Sequence, residues 1–319
     1  MRIGFIGLGN VGGKLAGSLL RNGFDMTVRD LDPAAAQRFL DGGAKWGESP
    51  AAMAEACDLV ITCLPSPATS AAVVEGPDGL LQSLGPGRIW AEMSTTDEGE
   101  MRRLAARVEA KGADAVDCPV SGGCHRAATG NISIFAGCSR PVFERMLPVL
   151  SAMGRNILHT GPVGSASVLK VVTNYLATAN LVSLCEALTT AKAAGMDLAT
   201  AYEAIRISSG NSFVHETESR LILNGSRQID FTMDLVAKDI GLFQAVAERA
   251  GVRLELNPLL IEIFRDGARR YGERAQSDAI IGRLEEATGL DIRAPGFPAE
   301  LVDDEPEVPG REVVPAGRG

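Results

Sequence analysis

Short apolar runs alternate with helical periodicity over the first half of the chain. Apolar runs of strand length lie at residues 3–6, 58–64 and 88–93, whereas residues 11–21 and 97–111 place apolar side chains at helical spacing. The same pattern assigns strands to 26–28, 115–120 and 132–136, and helices to 33–40 and 141–153. Strands that alternate with helices predict an α/β domain, in which helices cover both faces of a mostly parallel sheet.

The pattern changes near residue 161, and helical periodicity then continues to about residue 290. Residues 166–194 contain neither glycine nor proline, which predicts one helix of ~43 Å. Its apolar residues occupy more than one side, so we expect it to be buried on several sides. Further helices are predicted at 198–207, 232–250, 258–271 and 277–288, with Asp197 as the N-cap of the first.

These elements divide the chain of 319 residues into three parts. We predict an α/β domain over residues 1–163 and an all-α domain over residues 164–292, joined by the long helix. Residues 293–319 are rich in proline, glutamate and valine and contain one aromatic residue. Such a composition is typical of a poorly ordered tail.

Composition and charge exclude several classes of function. The formal net charge is −9, which disfavours nucleic acids and anionic membranes as partners. No apolar run approaches the ~20 residues needed to cross a bilayer. The six cysteines contain no CxxC pair and the three histidines lack metal-ligand spacing, so we expect no disulfide framework and no metal site. Because the chain enters a strand at once, without a leader, we expect a cytoplasmic protein.

A glycine-rich turn separates the first strand from the first helix. It consists of Gly7, Leu8, Gly9, Asn10, Val11 and Gly12. The pattern GxGxxG in this position allows a tight turn, a close approach to a pyrophosphate and close strand–helix packing. The helix N-terminus also offers free N–H groups to the phosphate. The turn therefore predicts a Rossmann-type dinucleotide-binding domain, with a glycine-rich turn that binds nothing as the alternative.

The end of the second strand indicates which dinucleotide binds. Asp30 stands there, and a carboxylate at this point accepts hydrogen bonds from the ribose hydroxyls and repels a 2′-phosphate. This favours NAD over NADP. The neighbouring Arg29 is a contrary signal, because an arginine can hold the phosphate.

Two groups of polar residues are candidates for substrate chemistry. Ser121, Gly122 and Gly123 follow a predicted strand, and the glycines allow adjacent N–H groups to face one anion. Lys170 and Asn174 lie four residues apart on the long helix and so share one face. Burial lowers the pKa of a lysine, which suits proton transfer near neutral pH. The alternatives are an ordinary loop and a solvated pair of side chains.

Two further charged sites are open to more than one interpretation. Lys238 and Asp239 fit a surface salt bridge on a helix. His125 and Arg126 follow the Ser121 loop, where they could bind a second anionic group of a substrate or simply be solvated.

Four ordered sequence blocks together resemble the β-hydroxyacid dehydrogenase family. They are GFIGLGNVG at 4–12, DCPVSGG at 117–123, GPVGSASVLKVVTN at 161–174 and FTMDLVAKDI at 231–240. The resemblance extends from residue 1 to about residue 290. Departures from the family pattern are Cys118 in place of alanine, Ala166 in place of a glycine, and Tyr175 in place of an amide residue.

The resemblance implies roles for residues at matching positions. Lys170 would be the general acid/base, Ser121 to Gly123 would bind the substrate carboxylate, and Asn174 would assist substrate binding. The residues implied to line the cofactor are Leu64, Pro65, Thr69, Thr95 and Lys238, beside residues 7–12 and Asp30. The family also implies a homodimer or homotetramer assembled through the helical domain, and an active site where the two domains meet.

The resemblance further implies a short hydroxy acid or the corresponding semialdehyde as substrate, with NAD as the hydride carrier. Two other functions fit the same scaffold. An imine reductase generally lacks the lysine found here at position 170, and a non-catalytic dinucleotide-binding protein would not need the Ser121 loop. Both alternatives are therefore less well supported by the residues.

Overall fold

The computed structural model describes residues 1–317, which divide into two compact units. Unit 1 contains residues 1–170 and the chain from Asp303 onward, and unit 2 contains residues 171–302. The predicted fold class, an α/β domain followed by an all-α domain, is confirmed.

Unit 1 is built on one sheet, which has ten strands within the described residues. The strands are β1 (Arg2–Ile6), β2 (Asp25–Arg29), β3 (Lys45–Trp46), β4 (Leu59–Thr62), β5 (Ile89–Glu92), β6 (Asp114–Asp117), β7 (Val120–Ser121), β8 (Ile132–Gly137), β9 (Gly154–Gly161) and β10 (Arg311–Glu312). Their order is β10-β9-β8-β6-β5-β4-β1-β2-β3, with β7 paired to β8. Strands β1 to β6 pair parallel to one another, whereas β6 and β7 both meet β8 antiparallel.

The central strands are apolar on both faces, because helices cover both. In β1, Ile3 and Phe5 belong to one core and Ile6 belongs to the other. In β4, Ile61 belongs to the first of these cores and Val60 belongs to the second. A strand buried on both sides has no polar face, which explains why these segments are continuous apolar runs.

The helices of unit 1 follow the strands in sequence. They are α1 (Gly12–Arg21), α2 (Gln37–Asp41), α3 (Pro50–Ala56), α4 (Pro67–Glu75), α5 (Glu98–Glu109), α6 (Gly123–Ala128) and α7 (Arg140–Met153). Because β1 to β6 are parallel, the loops that follow them lie at one edge of the sheet. The strand order reverses between β1 and β4, and this is where open α/β sheets bind their ligands.

A long helix, α8 (Ser165–Ala193), begins in unit 1 and continues into unit 2. It matches the predicted helix at 166–194 to within one residue. Unit 2 then contains α9 (Leu198–Arg206), α10 (Phe213–Asn224), α11 (Met233–Arg249), α12 (Asn257–Tyr271) and α13 (Gly282–Thr288). The Asp197 side chain caps α9 by accepting a hydrogen bond from the Thr200 N–H at 2.8 Å, as predicted. The predicted helix at 277–288 begins instead as a 3-10 turn, Ser277–Ile281.

Helix α8 is long and apolar enough to cross a membrane by length and composition. Its most apolar window has a mean hydropathy of 1.3 and is 33% buried, and it is the one such helix in the described part of the chain. The expectation that no apolar run approaches the length needed to cross a bilayer is therefore wrong. Apolar core helices of soluble proteins meet the same criterion, and Leu181, Leu184, Cys185 and Leu188 of α8 belong to the core of unit 2.

Residues 293–317 do not form the poorly ordered tail predicted from their composition, and the last two residues of that prediction lie outside the described part of the chain. Strand β10 extends the sheet by pairing parallel with β9, with Arg311 opposite Asn156 and Glu312 opposite Ile157. Strand β9 was itself not predicted. The composition gave no sign of this pairing because its hydrogen-bond partners lie more than 150 residues away in sequence.

Candidate dinucleotide and substrate site

The glycine loop connects β1 to α1 and is closely packed except at its centre. Gly7 has a φ of +99°, and a Cβ there would lie 2.2 Å from the Cys63 carbonyl oxygen. A Cβ at Gly12 would lie 2.1 Å from the Gly7 oxygen. Gly9, by contrast, has nothing within 4 Å of the position of its Cβ. The loop thus leaves space at its second glycine, beside the N-terminus of α1, as a pyrophosphate requires.

An open groove with a volume of about 610 Å³ lies along this loop. Leu8, Gly9 and Asn10 line one part of it, and Ala34, Ala35, Gln37 and Arg38 line another. The residues present therefore fit a bound dinucleotide, with backbone N–H groups of the loop toward its phosphates.

Asp30 follows β2 and lies beside the glycine loop. Its Oδ2 accepts a hydrogen bond from the Leu8 N–H at 2.6 Å, and its Oδ1 accepts one from the Asp32 N–H at 3.0 Å. The neighbouring Arg29 donates to the carbonyl oxygens of Gly47 and Glu48 at 2.7 and 2.6 Å. The carboxylate is thus fixed against the loop, while the guanidinium is engaged with backbone carbonyls.

The loops after β4 and β5 are joined through a buried carboxyl group. The Leu64 N–H donates to Ser94 Oγ at 2.7 Å, and Ser94 Oγ in turn donates to Glu92 in a short hydrogen bond. Glu92 is fully buried, and burial raises its pKa. This chain of contacts holds Leu64 against Ser94 at one edge of the sheet. Leu64 and Thr95, which directly follows Ser94, are both predicted to line the cofactor.

The remaining predicted cofactor residues after β4 lie at the start of α4. Pro65 is exposed. Thr69 is partly buried, and its N–H and its hydroxyl both contact the Oγ of Ser66, the N-cap of α4. They follow β4 directly and so belong to the same sheet edge as the glycine loop.

The predicted carboxylate-binding loop ends β7 and begins α6. Gly122 and Gly123 have φ angles of +130° and +85°, which side chains rarely allow. The side chains of the next turn cover these glycines. A Cβ at Gly122 would lie 3.5 Å from Arg126 Cδ, and one at Gly123 would lie 2.9 Å from the His125 ring. Both basic side chains therefore border the loop of Ser121.

Lys170 lies on the first turns of α8, and only 9% of its surface is exposed. The start of this helix is fixed by Asp117, the last residue of β6. Asp117 Oδ2 accepts hydrogen bonds from the N–H groups of Gly164 and Ser167 at 3.0 and 2.8 Å, and its Oδ1 accepts one from Ser167 Oγ at 2.8 Å. The carboxylate thus satisfies N–H groups at the helix start, one turn before the lysine.

Asp117 is fully buried, and burial raises the pKa of its carboxyl to about 6, although the three hydrogen bonds oppose that shift. The same residue leads the chain toward Ser121. It therefore connects the lysine-bearing helix to the predicted carboxylate loop within unit 1.

Asn174 and Lys238 belong to unit 2, where both meet Asp239. Asn174 Nδ2 donates to Asp239 Oδ2, and Lys238 Nζ lies 3.1 Å from Asp239 Oδ1. Asp239 is only 2% exposed. The interpretation of Lys238 and Asp239 as a surface salt bridge is therefore wrong, because the carboxylate is buried and orients the Asn174 amide.

The structure brings most of the predicted residues to one edge of the unit 1 sheet. It adds three buried acids that the sequence analysis did not assign to the site: Glu92, Asp117 and Asp239. Asp117 and Asp239 lie inside two of the four sequence blocks that resemble the family, at 117–123 and 231–240. A carboxyl group within an otherwise apolar or buried segment was the signal that could have identified them.

The parallel sheet, the glycine loop and the open groove define a dinucleotide-binding oxidoreductase. The family model described as the NAD binding domain of 6-phosphogluconate dehydrogenase matches residues 2–161. The model described as NAD-binding of NADP-dependent 3-hydroxyisobutyrate dehydrogenase matches residues 164–284.

Individual relatives agree with these matches. The 2-(hydroxymethyl)glutarate dehydrogenase of Eubacterium barkeri is 34% identical over 92% of this chain and 97% of its own. The mitochondrial 3-hydroxyisobutyrate dehydrogenase of Rattus norvegicus is 32% identical over 82% of this chain and 81% of its own. A solved 3-hydroxyisobutyrate dehydrogenase from Salmonella typhimurium superimposes with a TM-score of 0.81 at 27% identity, over 89% of this chain and 99% of that one.

The chain belongs to the β-hydroxyacid dehydrogenase family, and its activity is that of an NAD-dependent dehydrogenase of small hydroxy acids. The resemblance found in the four sequence blocks is thereby confirmed.

Proposed function

We propose that the enzyme interconverts a short β-hydroxy acid of the 3-hydroxyisobutyrate type and its semialdehyde, with Lys170 as the general acid/base. The observation that carries this proposal is the burial of Lys170 on a helix start fixed by Asp117. Burying an ammonium group is costly, and ionisable groups buried in this way cluster at functional sites.

Each residue of the site has a distinct task in this proposal. Lys170 takes the hydroxyl proton during oxidation and returns it during reduction. The loop of Ser121, Gly122 and Gly123 binds the substrate carboxylate through its N–H groups and hydroxyl. Asn174, oriented by Asp239, donates to or accepts from a substrate oxygen. The dinucleotide, when bound, supplies the hydride acceptor or donor.

Two features support a preference for NAD over NADP. The Asp30 carboxylate is held beside the glycine loop, where it would repel a 2′-phosphate. Arg29, the residue that could have bound this phosphate, donates to two carbonyl groups and lies over the Trp46 ring at 5.5 Å. Its guanidinium is thus already engaged.

The relatives act, by their names, on acids of different charge. 3-Hydroxyisobutyrate carries one carboxylate, whereas 2-(hydroxymethyl)glutarate carries two. We assign the monoanionic class to this chain, because Glu305 approaches Arg126, the basic group beside the carboxylate loop, to 3.8 Å.

Replacing Lys170 tests the central role. The substitution Lys170→Ala should lower kcat by ~100-fold or more, since general acid–base catalysis contributes that much. Binding of NADH, measured by fluorescence titration, should not change. Lys192→Ala is the matched control, because Lys192 lies on the same helix, is partly exposed and should leave kcat unaltered. A Lys170→Ala variant that keeps its turnover would remove this role from the lysine.

We also propose that the protein assembles as a homodimer or homotetramer. Two leucines of α8, Leu169 and Leu176, are 38% and 53% exposed, and a second copy of the chain packed on this helix would bury them. Light scattering should give two or four times the chain mass of 33.5 kDa. A mass of one chain at micromolar concentration would contradict the proposal.

Finally, we propose that the enzyme works in the cytoplasm. Five of the six cysteines are buried, an arrangement compatible with a reducing compartment. Cell fractionation followed by detection of the native protein should place it in the soluble cytoplasmic fraction, and recovery outside the cytoplasm would contradict this.

A further inference from the structure

The C-terminal segment from Asp303 to Val313, called the strap below, returns to unit 1 and lies outside both family models. Its second half is a sheet strand. The Gly310 N–H donates to the Ser151 carbonyl at 2.8 Å, and the Val313 N–H donates to Ile157 at 2.7 Å. A Cβ at position 310 would lie 1.9 Å from the Gly154 oxygen, so this close approach requires glycine.

The first half of the strap binds the segment that follows α6. Asp303 Oδ2 accepts hydrogen bonds from the Thr129 hydroxyl and, at 2.7 Å, from Asn131 Nδ2. The same Asn131 Nδ2 donates to the Glu305 carbonyl oxygen at 2.9 Å. Asn131 is 3% exposed, so these contacts are partly shielded from water. The strap thus fixes the C-terminal end of the helix that begins at Gly123.

The strap also places a carboxylate beside the basic residue of that helix. Glu305 forms a short ion pair with Arg155, and its other oxygen lies 3.8 Å from Arg126 Nη2. The stem of Arg126 covers Gly122, in the loop to which the proposed function assigns the substrate carboxylate.

We propose that the strap determines the charge of the substrate. Glu305 engages the Arg126 guanidinium at 3.8 Å, while the stem of Arg126 covers Gly122 of the carboxylate loop. A substrate with one carboxylate is bound by the loop of Ser121 to Gly123, whereas the second carboxylate of a larger substrate meets an Arg126 that Glu305 already engages. The inference rests on the proposed function of that loop, and Glu305 is a positioning residue that acts through Arg126.

The test compares the binding of two unreactive acids, isobutyrate and glutarate, to the NADH complex by titration calorimetry. Glu305→Gln should tighten glutarate binding about fivefold and leave isobutyrate binding unchanged, as expected for the removal of one partly exposed charge. Asp304→Asn is the matched control, because Asp304 is an exposed neighbour in the same strap and should leave the ratio of the two affinities unaltered.

A double substitution distinguishes a charge effect from a loosened fold. In an Arg126→Gln background, Glu305→Gln should no longer change the affinity ratio, because the guanidinium through which it acts is gone. If Glu305→Gln changes both affinities equally, or changes the ratio even without Arg126, the proposal is overturned. It is also overturned if neither acid binds the wild-type complex.

Turnover separates this proposal from the proposed function. If the wild-type enzyme oxidises hydroxy acids but Glu305→Gln leaves the ratio of the glutarate and isobutyrate affinities unchanged, only the strap proposal is refuted. If Glu305→Gln changes the affinity ratio as expected but the wild-type enzyme oxidises no hydroxy acid, the strap proposal is supported and only the proposed function is refuted.

Discussion

Two aspartates, one in each unit, are fully buried but lie in opposite environments. Asp117 of unit 1 accepts three hydrogen bonds from the start of α8. Asp278 of unit 2 belongs to the 3-10 turn before α13, and among the described residues no N–H group donates to either of its oxygens. Burial and the neighbouring Glu218 raise the pKa of Asp278 well above its ordinary value.

The difference shows what a buried carboxyl group contributes in each place. Three donors and a helix N-terminus favour the charged form at Asp117, so its pKa rises only to about 6 in spite of burial. At Asp278 the neighbouring group is another acid, and two carboxylates in one apolar site cannot both ionise. Asp117 therefore fixes the lysine-bearing helix near neutral pH, whereas burial beside Glu218 favours the protonated form of Asp278.

Replacing each of the two aspartates with alanine tests this comparison, and it is the test with the largest expected effect. Asp117→Ala leaves two N–H groups and one hydroxyl buried without an acceptor, so it should lower the free energy of unfolding by about 3 kcal/mol or more. Asp278→Ala removes no acceptor from an N–H donor and should cost about 1 kcal/mol or less. Denaturant unfolding of both variants measures the two values, and equal losses would remove the distinction.

A smaller effect is expected from pH. The raised pKa of Asp278 means that the folded chain keeps a proton which the unfolded chain releases as the pH rises above about 3.8. The unfolded state then binds fewer protons, and stability falls as the pH rises toward the folded pKa. Asp278→Asn cannot release this proton. The free energy of unfolding of Asp278→Asn, minus that of wild type, should therefore increase between about pH 5 and about pH 8.

Unfolding curves of wild type and of Asp278→Asn at those two pH values provide the measurement. Asp266→Asn is the control, because that carboxylate is paired with arginines and its pKa is lowered to about 2, so it stays ionised throughout this range. A difference between wild type and Asp278→Asn that does not change with pH would mean that Asp278 is ionised in the folded protein.

The predictability of these features from sequence depends on how far apart the interacting residues are. The glycine loop was predicted because its three glycines lie within six consecutive positions between a strand and a helix. Asp197 was predicted because its partner is three residues away. The long helix was predicted because it contains no residue that breaks a helix.

Most of the features that were missed depend on distant partners. Asp117 binds residues 47 and 50 positions away, Asn174 and Asp239 are separated by 65 positions, and Asp303 binds Asn131 across 172. Composition described the last segment only as acidic and proline-rich. The basic and amide side chains that order it lie on unit 1, so periodicity and composition could not predict the strap.

The most direct test of the account is NADH formation by the purified enzyme with a panel of hydroxy acids. The panel contains 3-hydroxyisobutyrate, glycerate, 3-hydroxypropionate, 4-hydroxybutyrate, serine and a hydroxyalkyl sulfonate, each with NAD and with NADP. The account predicts turnover with at least one short monocarboxylic β-hydroxy acid and a clear preference for NAD. Binding of NADH without turnover of any member of the panel would contradict it.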